Sequence, residues 1–169
     1  MKIDEQRKNH LEEMYQVLLH DEKVLKMKEI PMHFGSNCYE HSFKVAKLAI
    51  KRALRHKEVN LEALLIASIL HDYYLYDWRK DKSKRKKHVS EHPTVAANQA
   101  KRDFNISEEA MKMIKSHMWP VNFKDFPNTK EARILNLADK SVATIEFLSS
   151  TKQKKSRRAK TLENINSLF

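Results

Sequence analysis

The stretch SILHDYYLYDW, residues 68–78, ends an apolar run (Leu64 to Leu70) on two adjacent ionisable residues, His71 and Asp72. Such groups at the edge of a core are costly unless a salt bridge, a helix cap or a metal ion pairs with them. The chain holds further exceptions of this kind. His41 shares a helical face with Val45, Leu48 and Ala49, His92 with Val95 and Ala96, His117 with Ala110, Met113 and Ile114, and Asp139 with Leu135 and Val142. Each such segment, or its end, aims one side chain of metal-ligand type inward. A single histidine on an apolar face is more often a hydrogen-bonded core residue. Asp139 is harder to place without a partner, because an inward carboxylate must be paired, neutralised or metal-bound and Lys140 lies one residue round the helix. A second His-Asp pair, His20-Asp21, runs into Glu22-Lys23 at a polar helix end and reads as solvated.

These residues need elements to carry them, and the punctuation of the chain supplies helices. The first runs from near Asp4 to Leu19 and continues after a break toward Ile30, before a turn at Pro31 to Ser36. Asn37 with Glu40 forms a capping box for a helix to about His56, and Asn60 caps one ending near Leu70. Ser90 precedes a helix to about Asp103. Ser107, with Glu108 and Glu109, opens one that Pro120 closes, and Thr129 opens one to about Ser149. Gly35 is the only glycine and there are only four prolines, so strand-and-turn architectures are poorly supplied. The expectation is an all-α, single-domain helical bundle: an N-terminal helical segment (1–35), a core (36–150) and a basic C-terminal tail (151–169) in one globular unit.

Composition narrows the chemistry. One glycine excludes a phosphate-binding loop built on several glycines. The lone Cys38 makes no internal disulfide, and no apolar run approaches a membrane span, so the expectation is a soluble, cytoplasmic protein with no membrane partner. The net charge of +11 resembles a nucleic-acid footprint, but the segments 79–87 and 152–160 account for all of the excess and leave the rest of the chain close to neutral. Nucleic acid is therefore an unlikely partner. The first run lies between the His71-Asp72 pair and His92, where a connection would overhang the same cavity; the second can leave the core freely.

The order H…HD…H…H…D, with YEHSFKVAKLA, ASILHDYYLYDW, EHPTVAA, IKSHMWP and LADKS as local context, resembles the HD-domain superfamily of metal-dependent phosphohydrolases over residues 36–146. It is most similar to small bacterial members of unassigned substrate, and more distantly to HD-type diadenosine tetraphosphate hydrolases. No GYP signature follows the core, which removes the specific mark of the cyclic-di-GMP phosphodiesterases. The resemblance implies that His41, His71, Asp72 and Asp139 hold a first metal and that His92 and His117 add a second. Imidazole and carboxylate donors suit one or two divalent ions among Fe, Mn, Co, Ni and Zn, with Asp72 as bridging ligand. His88, four residues before His92, competes with it for the third histidine position.

The function implied is hydrolysis of a phosphoester or phosphoanhydride in a small, nucleotide-like substrate by a metal-bound hydroxide oriented by Asp72. Arg79, His88 and Lys140 are the expected substrate contacts. The alternatives are a catalytically silent metal-bound nucleotide sensor and a helical nucleic-acid-binding module with core histidines.

Overall fold

The structure, a computed structural model, describes residues 4–32, 35–80, 82–150 and 165–169, with side chains from residue 87 onward in the third stretch. The described residues form seven α-helices: α1 (Glu5–His20), α2 (Glu22–Leu25), α3 (Cys38–Ala53), α4 (Leu61–Leu70), α5 (Lys82–Phe104), α6 (Glu108–Ser116) and α7 (Lys130–Ser150). A 3₁₀ turn, Lys26–Glu29, follows α2, and the fold is all-α as expected.

Most helices begin where a side chain can satisfy the free N–H groups of a first turn. Asp4, Asn37, Asn60, Ser107 and Thr129 accept from the backbone N–H three residues on, at 2.8, 2.8, 3.0, 3.1 and 3.1 Å. Each cap contributes about 1 kcal/mol. Asn37 is presented to α3 by a short antiparallel bridge with Pro31, closed by Met32 N–H to the Ser36 carbonyl and Cys38 N–H to the Ile30 carbonyl, both 2.9 Å. Gly35 turns there at φ +86°, a conformation that a side chain would strain. Asp21 of the second His-Asp pair caps α2, and His20 is exposed, so this pair is surface structure.

Helix α4 is the centre of the bundle: every residue but Glu62 and Ile66 is buried, among α3, α6 and α7. Leu64, Leu65, Ile69 and Leu70 have no exposure, each burial giving ~1.5–3 kcal/mol. A helix held on all sides has a fixed C-terminus, and His71 is its C-cap.

Two helix boundaries differ from expectation. Helix α3 ends at Ala53, before the expected His56. Helix α5 starts at Lys82, not after Ser90, so most of the basic run is helix rather than an overhanging connection. A run of like charges carries no apolar period to betray a helix, and the Ser90 hydroxyl, expected just ahead of the helix, bonds back to the Lys87 carbonyl at 3.0 Å. The end of the tail does not leave the core. Ile165 and Leu168 are buried, and the Ile165 carbonyl accepts from the Tyr15 hydroxyl at 2.7 Å on α1. The second basic run, 152–160, lies outside the described residues. No helix among the described residues is long and apolar enough to cross a membrane.

Candidate metal centre

The six side chains singled out in the sequence meet in one place, each delivered by a helix or its end. His41 stands in the first turn of α3, His71 and His117 are the C-caps of α4 and α6, Asp72 follows His71, His92 lies within α5, and Asp139 is on α7. His41, His71, Asp72, His92 and His117 are buried; the Asp139 side chain keeps 13% exposure, which makes it the ligand-type group nearest to solvent.

Asp72 sits between the two halves of the cluster. Its Oδ2 lies 3.4 Å from His71 Nε2, while Oδ1 lies 3.4 Å from His92 Nε2 and 3.7 Å from His117 Nε2. On the other side, Asp139 Oδ1 is 3.0 Å from His41 Nε2 and 3.8 Å from His71 Nε2. The donor atoms of His41, His71 and Asp139 fall within 4.8 Å of one another, as do those of His71, Asp72 and His117.

The imidazoles are oriented from behind. His71, His92 and His117 each place Nδ1 against a backbone carbonyl, of Ser68, His88 and Ile114, at 2.8, 2.8 and 2.7 Å. A carbonyl only accepts, so Nδ1 carries a proton, and in the neutral ring Nε2 turns a bare lone pair inward. His71 Nε2 is buried with no hydrogen-bond partner among the described residues. His92 Nε2 and His117 Nε2 face each other at 3.1 Å. Two lone pairs at that distance repel unless a cation lies between them. A proton is disfavoured in that role: burial and the charge of neighbouring histidines push His117 down to about 3, and burial pushes His92 down as well. The donor set fits a divalent metal ion, which needs no proton and accepts several lone pairs at once.

His41 differs. Burial would lower its pKa, but hydrogen bonds from its two nitrogens to Asp139 and to Glu146, the latter at 2.9 Å, override this and raise it to about 10. Both carboxylates are held below their ordinary range, against burial, chiefly by that imidazolium. Asp72 is likewise held down by the surrounding histidines although burial opposes it. A proton thus occupies the space between His41 and Asp139 that a cation would take.

The three expected substrate contacts are placed differently. Lys140 is half-buried, and its Nζ donates to the His117 carbonyl at 3.1 Å. His88 stays out of the cluster: its Nδ1 meets the Tyr76 hydroxyl at 3.1 Å and its ring stacks between Trp78 and His92, centroids 5.0 and 4.6 Å away. It is His92, not His88, whose Nε2 faces Asp72 and His117. Arg79 is exposed, beside Asp77 at 3.5 Å and with its guanidinium 6.0 Å from the Trp78 ring centre.

Two residues escaped the sequence reading. Glu146 backs His41, and its signal was the seven-residue offset from Asp139 on one face of α7. Asn136 is buried and donates to the carbonyls of His117 and Trp119 at 2.8 and 2.7 Å, pinning the segment that leaves α6.

No curated protein and no solved structure matches the chain. The model of the HD domain family matches residues 38–144, a span that contains all six converging side chains in the order that the fold brings together. Members of that family are mostly metal-dependent hydrolases, and the chain belongs to the HD-domain family.

Proposed function

We propose that the protein is a metal-dependent phosphohydrolase acting on a small, nucleotide-like phosphate compound. The observation that carries this reading is the position of Asp72, one oxygen toward His71 and the other toward His92 and His117. His41, His71, Asp72 and Asp139 would hold a first ion, and Asp72, His92 and His117 a second. Divalent ions there would supply the positive charge that binds a phosphate and lowers the pKa of water toward neutrality. Asp72 holds its carboxylate ionised between the two halves, where it can accept a hydrogen bond from the attacking water and fix its direction. Asp139, the least buried of the group, marks the side from which substrate enters. Lys140 braces the His117 carbonyl, and Arg79, on the exposed segment after Trp78, carries a guanidinium suited to a phosphate. The nucleotide class rests on the family relationship.

The test is elemental analysis of the purified chain followed by a phosphate-release screen over mono-, di- and cyclic nucleotides and dinucleoside polyphosphates. His71→Ala and Asp139→Ala should each lose metal and turnover, with His20→Ala as an unaffected control. Full metal occupancy in both site variants would remove the assignment, and metal binding without any phosphate release would leave a sensor.

A further inference from the structure

Of the four imidazoles in the centre, three are anchored alike, by Nδ1 on a neutral backbone carbonyl one turn back. His41 does not use that anchor. Its Nδ1 turns instead to Glu146 Oε2, 2.9 Å away on α7. Glu146 is locked in turn: Oε1 accepts from Lys44 Nζ at 2.8 Å, Oε2 from Ser36 Oγ at 3.5 Å, and its side chain is only 11% exposed. The His41 ring stands between the two carboxylates, with Asp139 at Nε2 and Glu146 at Nδ1. Glu146 lies beyond the span of the family match, which ends at 144, and outside the H…HD…H…H…D pattern.

We propose that Glu146 is a positioning residue of the metal centre: through Nδ1 it fixes the tautomer in which His41 presents Nε2 beside Asp139, and it makes His41 the one imidazole backed by an anion. This inference rests on the reading of His41 as a metal ligand. A carboxylate behind an imidazole holds the plane of the ring and raises the electron density at the opposite nitrogen, so removal of such a partner weakens metal binding by about 10–100-fold. Helix α7 then supplies both the group in front of His41 and the group behind it. Lys44, one turn after His41 on α3, holds the Glu146 carboxylate at its second oxygen, which keeps it from swinging round to the metal side.

The test uses the full-length chain loaded with zinc and labelled with ¹⁵N. Long-range ¹H–¹⁵N spectra of the imidazoles should show His41 protonated at Nδ1, with that proton far downfield, and Nε2 on the metal. In Glu146→Gln the neutral amide oxygen should keep the tautomer, move the proton upfield and weaken zinc binding, read by chelator competition, about 10–100-fold for one ion while the stoichiometry at saturation is unchanged. His41 protonated at Nε2 in the zinc-loaded wild type would overturn the proposal, and that measurement needs no variant to fold. An unchanged proton shift together with unchanged affinity in Glu146→Gln would also overturn it, leaving the metal centre itself intact. A wild-type chain that takes up no zinc overturns both readings.

Discussion

Metal uptake by this centre must displace a proton, and the structure says which one. His41, gripped by Asp139 and Glu146, is pushed up to about 10, so at pH 7 it is an imidazolium and cannot ligate. Removing that proton at pH 7 costs roughly 4 kcal/mol, from a gap of about three pH units at ~1.36 kcal/mol each. His92 and His117 are pushed the other way, and Asp72 and Asp139 are already ionised, so none of these four has a proton to release. Zinc or manganese binding should therefore release about one proton per chain from His41 between pH 7 and 9. The apparent Kd should fall about tenfold per pH unit over that range and level off near the folded-state value. Calorimetric titration at one pH in two buffers of unlike ionisation enthalpy measures the proton count, and chelator competition measures the slope. Any further deprotonation at the loaded site adds to the count and cannot lower it. A release well below one proton, or an affinity that is flat from pH 7 to 9, would refute the assignment of His41 as a ligand in this electrostatic setting.

Three further outcomes are expected. The double variant His92→Ala/His117→Ala should retain about one ion per chain by elemental analysis and lose most phosphate release, since the charge of a second ion is worth several kcal/mol of the barrier; wild-type metal content and turnover would return both histidines to the core. The chain stripped of metal should lose about 2 kcal/mol of unfolding free energy between pH 7 and 5 from His117 alone, because its folded value lies near 3 and only the unfolded chain takes up the proton below ~6.5. His41, raised to about 10 in the fold, opposes this by less than about 1 kcal/mol, mostly between pH 7 and 6, so His117→Gln should flatten the acid limb in urea titrations. Asn136→Ala removes a donor from the His117 carbonyl, which keeps Lys140, and from the half-buried Trp119 carbonyl, and should cost about 1–2 kcal/mol in thermal or urea unfolding, with a weaker second metal site.

What could be read from the sequence was what local chemistry dictates. Asn37, Asn60, Ser107 and Thr129 announced four helices because a capping side chain acts within three residues of itself. The offsets that put His41, His92, His117 and Asp139 on apolar faces likewise depend only on the 3.6-residue period, and all of them point into one cluster. The start of α5 was hidden because residues 82–87 are almost all basic and offer no contrast of apolar and polar faces. Glu146 was hidden for another reason: its partner is 105 residues away on a helix whose packing against α7 no spacing rule supplies. His88 and His92 share a helical face, and only the stack on Trp78 separates their roles. The charge of Lys140 suggested a phosphate contact, and its hydrogen bond to the His117 carbonyl is a further fact that only the packed bundle supplies.

His71 and His117 close α4 and α6, so two helices direct their C-terminal ends, the negative poles of their dipoles, at the same cluster as Asp72 and Asp139. A phosphate approaching there meets two carboxylates and two helix C-termini against the single imidazolium of His41, until divalent cations reverse the local field. Binding order is thereby built into the backbone: cation first, phosphate second. The chain prepared without metal should be indifferent to millimolar phosphate or nucleotide in a thermal shift assay and respond to both once manganese or zinc is added. On the proposed function, such an arrangement would tie the capture of a phosphorylated compound to the supply of free metal.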